Sequence, residues 1–355
     1  MHDLQNGDIH ARRRATEVFT EMGPEGVPYL AGTLTNPPTP MQKMARALRP
    51  HVPKSFEGPL RRLYDPPNEL MEKLATLKAI ETMGTNGAEA VAAVGTMLRQ
   101  PNVGLSSAAA QALARMGTNA VPVLVAALDD GDYNIRAGAC YALAQLRTNA
   151  APAVPRLARL VQDERGPIVS AAFHALSRTG RAAIPALTEM LSNTNSSVRS
   201  QALYALAPIG HEARSSLTSI RGLLGDPVAE VRRRAVQTLS RVDGESRESH
   251  DTFATALHDP DPIVRDAGVA AMIYRPRVVR NNMARLIELL GDTSPAVRAG
   301  AAQAIGQSGK WGEPGLDALN ALAGDTNEMV RTRAERAVEI ITKDAGHSTD
   351  FSNRD

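Results

Sequence analysis

An aliphatic residue recurs along this chain in a fixed register, and that register limits the possible folds more than any other feature. It falls at Leu105, Ile135, Ile168, Val198, Val231, Val264, Val297 and Val330, with spacings of 30, 33, 30, 33, 33, 33 and 33 residues. Weaker copies sit at Glu72 and Ala11. Self-similarity with a period of roughly 20–50 residues marks a chain built by stacking one small unit, because no single unit can bury its apolar face alone.

Each copy reads as an amphipathic helix. Apolar residues at the anchor, +4, +7 and +8 share one face at about 100° per residue. The +4 column is always small: Ala139, Ala172, Ala202, Ala235, Gly268, Ala301 and Ala334. Small residues there let neighbouring helices approach closely. A shorter helix precedes each copy, as in Ala120-Val121-Pro122-Val123-Leu124, with Pro122 in its first turn, where a missing N–H has no intrahelical partner to lose. Pro185 is equivalent. The alternation of 30 and 33 follows from three extra residues between helices, since Thr118-Asn119-Ala120-Val121-Pro122 becomes Thr148-Asn149-Ala150-Ala151-Pro152-Ala153-Val154-Pro155.

An acid or its amide stands six residues before each arginine: Asp130/Arg136, Asn193/Arg199, Asp226/Arg232, Asp259/Arg265, Asp292/Arg298 and Asp325/Arg331. The spacing crosses the turn between the two helices of a repeat. Val169 and Ser106 interrupt the series, and those junctions are expected to be less polar but equally folded. These residues resemble HEAT repeats, in particular the short bacterial type associated with bilin lyases. The resemblance covers residues 69–342 well and the first 68 loosely. It implies an all-α, right-handed alpha-alpha superhelix of the HEAT/armadillo type, with about ten or eleven helical hairpins. It also implies an Asp–Arg hydrogen-bonded ladder along the stack and second helices lining a concave inner side. A repeat motif of this kind encodes packing rather than chemistry.

The domain expectation is therefore degenerate, proline-rich repeats over 1–68, regular repeats over 69–342 and a disordered polar tail over 343–355. Residues 37–67 hold eight of the 23 prolines and cannot form a regular hairpin throughout. They also carry Lys43, Arg46, Arg49, Lys54, Arg61 and Arg62 against Glu57. The segment reads either as a degenerate repeat joining two parts of the stack or as a protruding basic element for an acidic partner or a phosphate backbone. Aligning Leu4-Gln5-Asn6 with Leu224-Gly225-Asp226 puts Met1 near the end of a first helix. A stack end without a cap exposes core. The sequence thus suggests a fragment, or self-association through Ala11, Ala15, Val18 and Phe19. Thr332, Arg333, Glu335, Arg336 and Glu339 give the last repeat a polar exterior, as a cap requires.

Composition excludes several functions. The 355 residues are 43% hydrophobic and carry a formal net charge of +2, against the basic excess of dedicated nucleic-acid binders. A single cysteine, Cys140, permits no intramolecular disulfide and no cysteine metal cluster. No run of about 18 apolar residues predicts a membrane span. There is no signal-peptide pattern, which leaves the cytoplasm as the default expectation. Only one His-Glu pair occurs, His211-Glu212, so a di-iron centre built on repeated pairs is not expected. No cofactor or metal is expected. A glycosylase-like cleft wants aromatic platforms and a basic groove, whereas the only tryptophan, Trp311, falls in a predicted loop. Arg12-Arg13-Arg14 and Arg232-Arg233-Arg234 are triplets on helices, where consecutive residues point apart. Cys140 reads as a buried thiol rather than a nucleophile.

What remains is a surface. At +6, opposite the buried face, the repeats read Gln111, Tyr141, His174, Tyr204, Gln237, Ala270, Gln303 and Arg336. The flanking +2 and +9 positions are small in the middle of the chain: Ala137, Ala144, Ser170, Ser177, Ser200 and Ala207. The apolar +5 column (Cys140, Phe173, Leu203, Val236, Val269) reads as contact between adjacent repeats. The expected function is a non-enzymatic scaffold that holds a peptide or helix of a protein partner in its concave groove, through Tyr141, His174, Tyr204 and Gln237. Stacking is expected to set the three aromatic residues about 8–10 Å apart. The alternatives are a bilin-lyase-like enzyme or accessory subunit, or nucleic-acid binding through the basic segment of Lys43, Arg46, Arg49, Arg61 and Arg62.

Overall fold

The 3.6-residue periodicity does produce helices, and every regular element among the described residues is helical. The computed structural model describes residues 17–18, 21–35, 69–161 and 166–349. The chain divides into two compact units, Met1–Ala183 and Ile184–Asp355. This division falls inside the run expected to be regular.

The first unit contains α1 (Val27–Thr35), α2 (Glu69–Met83), α3 (Val91–Leu98), α4 (Val103–Arg115), α5 (Val121–Ala127), α6 (Tyr133–Leu146), α7 (Val154–Leu160) and α8 (Gly166–Thr179). The pairs α1/α2, α3/α4, α5/α6 and α7/α8 are hairpins, and the second helices α2, α4, α6 and α8 pack on one another in that order. Because α1 packs on α2, residues 36–68 lie in sequence between the two helices of one hairpin. The expectation of degenerate, proline-rich repeats there falls on residues outside the described ones.

The second unit contains α9 (Ile184–Met190), α10 (Ser196–Leu206), α11 (Leu217–Gly222), α12 (Ala229–Val242), α13 (Arg247–Ala256), α14 (Pro262–Met272), α15 (Pro276–Asn281), α16 (Met283–Glu288), α17 (Pro295–Gln307), α18 (Leu316–Ala321) and α19 (Glu328–Thr349). Here the hairpins are α9/α10, α11/α12, α13/α14, α16/α17 and α18/α19, with α15 an extra turn. The second helices α10, α12, α14, α17 and α19 again pack in sequence. Helix α19 continues to Thr349, so residues 343–349, expected in a disordered tail, are helical.

Local chemistry accounts for the boundaries. Pro122 and Pro155 occupy the first turns of α5 and α7. Asn102, Asp132, Asn195 and Asp261 cap the second helices by accepting a hydrogen bond from a first-turn amide. The three extra residues in the longer repeat lengthen the 3₁₀ turn after the second helix, which is Arg147–Ala153 there and Gly117–Ala120 or Gly180–Ala183 elsewhere. That turn opens with a positive φ, supplied by Gly117 (73°), Gly180 (70°) and Gly210 (65°). Arg147 adopts φ 53° at the same place.

Anchor residues from Leu105 to Val330 are buried, and so is the whole small +4 column. At Gly268 a Cβ would come within 2.9 Å of the Ala256 Cβ. The +4 column is thus where the two helices of a hairpin touch, and only small residues fit. Cys140, Phe173, Leu203, Val236 and Val269 at +5 are buried as well. Thr238 on α12 donates to the Leu203 carbonyl of α10 at 3.1 Å, so this side of the helix does meet the next repeat.

The ladder exists, but its pairing is not the one six residues apart. Arg199 donates through Nε and Nη2 to both carboxylate oxygens of Asp226, at 2.7 and 2.9 Å, 27 residues ahead. Its Nη1 reaches back to the Asn193 carbonyl at 2.9 Å. Arg232–Asp259, Arg265–Asp292 and Arg298–Asp325 repeat the arrangement. Each aspartate also accepts a hydrogen bond from the amide two residues on, which shapes its own turn. The six-residue spacing therefore encodes an arginine-to-carbonyl clamp on its own hairpin turn, and the carboxylate serves the preceding repeat. Where Ser106 replaces arginine, Arg99 at the end of α3 takes over, with Nε 3.3 Å from Asp130.

A candidate docking face on the second helices

Successive second helices leave shallow grooves between them, and the +6 residues stand in those grooves. In the first unit Gln111 on α4, Tyr141 on α6 and His174 on α8 are exposed; Tyr141 is 49% exposed. A cleft of about 240 Å³ is lined by Glu81, Gln111, Ala114, Arg115, Tyr141 and Gln145. In the second unit Tyr204 on α10 is 65% exposed, and Gln237 on α12 and Ala270 on α14 are also exposed. The expected small neighbours are present, although Ala144 at +9 is buried rather than outward.

Two clefts open on this face in the second unit. One, of about 340 Å³, is walled by Tyr204, Arg234, Gln237, Ser240 and Arg241 over a floor that includes Ala267, Ala270 and Ala271. The Arg234 guanidinium lies 5.0 Å from the Tyr204 ring centroid, a cation–π contact that holds the ring upright. The other, of about 400 Å³, is walled by Tyr274, Gln303, Gln307, Thr332, Arg333 and Arg336, with Gly306 and Ala337 beneath. Arg333 donates to the Gln303 side-chain oxygen.

The arginine triplet on α12 behaves as helical geometry requires. Arg232 joins the ladder, while Arg233 and Arg234 both turn to Glu230, at 2.6 and 2.9 Å. These hydrogen bonds hold the Glu230 carboxyl below its ordinary range. Sequence reasoning named Tyr204 and Gln237 but missed Arg234, Arg241, Tyr274 and Arg333. Those residues sit at +3 and +10, which flank +6 on the same face, and reading the columns at those offsets would have found them. The basic segment Lys43, Arg46, Arg49, Arg61 and Arg62 lies outside the described residues, as do Ala11, Ala15 and Phe19; Val18 is exposed.

His211 and His250 make ring hydrogen bonds to the Val242 and Gly244 carbonyls, and among the described residues no cluster of His, Cys, Asp or Glu could hold a metal. Burial pushes the Cys140 thiol up to about 12, with Arg136 only partly opposing it. A thiol so rarely ionised is a poor nucleophile. No described helix is long and apolar enough to cross a membrane.

Comparison with known proteins adds the family. The sequence pattern described as HEAT repeats matches residues 71–144, 121–207, 184–273 and 251–339. No curated protein matches the sequence. Among solved structures, importin beta is similar at a TM-score of 0.54 and 14% identity, over 97% of this chain and 55% of that one. The karyopherin Kap121p, bound to the extreme C-terminus of the protein phosphatase Cdc14p, is similar at 0.58 and 13% identity, over 97% of this chain and 45% of that one. The chain spans about half the length of each, and the likeness is one of fold.

Proposed function

The chain belongs to the HEAT-repeat family, and from that premise we propose that it is a non-enzymatic scaffold that binds a segment of a protein partner along its second helices. The exposed +6 column carries the reading. Tyr141 and Tyr204 stand clear of a floor of small side chains, and the core has no use for them. Tyrosine buries a large area at low entropic cost and is enriched at interface hot spots, where truncation costs about 2 kcal/mol or more. His174, at the same position of the next second helix, adds an exposed polar group. The fold supports the same reading, since Kap121p, with a related stack, is seen holding the C-terminus of another protein.

The test is Tyr141→Ala combined with Tyr204→Ala, followed by melting temperature and capture of proteins from a lysate of the source cells. Capture lost with melting unchanged supports a recognition face. Unchanged capture, or a melting temperature lowered by many degrees, overturns it.

A further inference from the structure

The two clefts of the second unit share a chemistry that narrows the partner. Each brings together a tyrosine, two arginines and at least one side-chain amide over small residues, and no carboxylate is among the residues that line either one. In the first, Glu230 holds Arg234, and among the described residues no carboxylate pairs with Arg241. In the second, Arg333 bonds to a neutral amide, and among the described residues Arg336 makes no hydrogen bond. Glu339, one turn along α19, is engaged by Lys343 at 2.5 Å and stays outside the cleft. Among the described residues each cleft therefore presents an arginine with no ion-paired carboxylate, Arg241 in the first and, in the second, Arg336, whose charge acts on Glu339 without an ion pair between them. Gln237, Gln303 and Gln307 offer both donors and acceptors, which suits a peptide backbone.

We propose that this face takes an extended acidic polypeptide segment, with one carboxylate cluster at Arg241 and Arg234 and a second at Arg336 and Arg333. The proposal rests on the scaffold reading above and specifies its partner. The arginines stand on α12 and α19, which are three helix-packing steps apart through α14 and α17. At about 8–10 Å per step this is about 25–30 Å. An extended chain covers that distance in about eight residues. On the two helices between these arginines the outward +6 positions are Ala270, in the floor of the first cleft, and Gln303, in the wall of the second, and α14 also carries Asp266. A segment charged at two points and neutral between them fits that pattern. A phosphate backbone, charged at every nucleotide, would meet Asp266 and leave its middle phosphates without a cation.

The experiment uses the full chain and a fluorescein-labelled peptide of about ten residues, Glu-Glu-(Gly-Ser)₃-Glu-Glu, read by anisotropy. Binding is expected to weaken as salt rises. Replacing either Glu-Glu pair with Gly-Ser should cost roughly tenfold, since the second contact becomes intramolecular once the first has formed. Halving the spacer should cost as much. Arg241→Glu and Arg336→Glu, which touch neither the ladder nor the core, should each abolish the two-point advantage at unchanged melting temperature. A peptide with Lys-Lys at the matching end should recover it.

Equal binding of acidic and basic peptides would overturn the proposal, as would indifference to both arginine changes. Tighter binding of an oligothymidylate of similar length would also overturn it, in favour of nucleic acid. If no peptide binds while capture of a natural partner still depends on Tyr204, the acidic segment is refuted and the scaffold reading stands. If that dependence is absent as well, both fail.

Discussion

Arg232 holds two repeats at once: Nε and Nη2 donate to the two carboxylate oxygens of Asp259 at 2.8 Å each, while Nη1 donates to the Asp226 carbonyl at 2.8 Å. Both side chains are largely buried, so neither group has water as a ready substitute. Arg232→Met should leave Asp259 desolvated and unmatched, and lower stability by about 1–3 kcal/mol in urea melts. Adding Asp259→Asn should recover part of the loss, because the stranded charge is then gone. If the single variant matches wild type, the ladder is decoration.

The same rungs set the acid limit of the second unit. Burial pushes the carboxyls of Asp226, Asp259 and Asp292 up, but hydrogen bonds from Arg199, Arg232 and Arg265, together with turn amides, outweigh it and hold them below the ordinary value. The hydrogen bond from Arg298 lowers Asp325 in the same direction. A folded-state value below the unfolded one means stability fully present above pH ~4 and lost as pH falls through the folded values. Asp266 is pushed up by burial and acts in the opposite sense, but it is one group against four. Denaturant midpoints measured from pH ~6 down to ~3 should fall, and should fall less in Arg232→Met.

Arg147 occupies a backbone conformation that its neighbours in the stack give to glycine. Its φ of 53° and ψ of −128° nearly match the 65° and −138° of Gly210. A side chain there costs about 1–3 kcal/mol, and a glycine removes that cost while adding some freedom to the unfolded chain. Arg147→Gly should therefore raise stability by about 1 kcal/mol. An unchanged or lowered melting temperature would show that the exposed arginine makes a compensating contact.

Glycine has the opposite meaning at Gly306 on α17. A Cβ there would lie 2.6 Å from the Ala337 Cα and 2.7 Å from its Cβ on α19. Replacing a helical glycine with alanine ordinarily gains up to about 1 kcal/mol. Gly306→Ala should instead lose about 1–3 kcal/mol, because the helices must separate. Gly222→Ala, where a Cβ meets nothing within 4 Å, is the control and should be neutral or stabilising. Ala202→Leu, at the contact of α9 with α10, should lose as much as Gly306→Ala.

Much of this was open to a reader of the sequence alone. The spacing of Leu105 through Val330 located the second helices, the +4 column located the contact between helices, and the +6 column picked out exposed positions on them, among them Tyr141, His174, Tyr204 and Gln237. These are properties of single helices, and a helix's periodicity is written in its own residues. Tyr274 and Arg241 escaped notice, and Arg333 was read only as part of a cap, because each becomes interesting only beside residues tens of positions away.

By itself the sequence determined the repeat, the helical hairpin and which face of each helix is buried, because side-chain direction follows from 3.6 residues per turn and apolar faces must leave water. Only tertiary structure decided that Arg199 binds Asp226 rather than the group six residues behind it, and that α1 packs on α2. It alone forced Arg147 into a glycine's conformation and gathered Tyr204, Arg234 and Arg241 around one cleft. These outcomes depend on how far apart packed helices sit and on what their neighbours present, distances that no local pattern encodes.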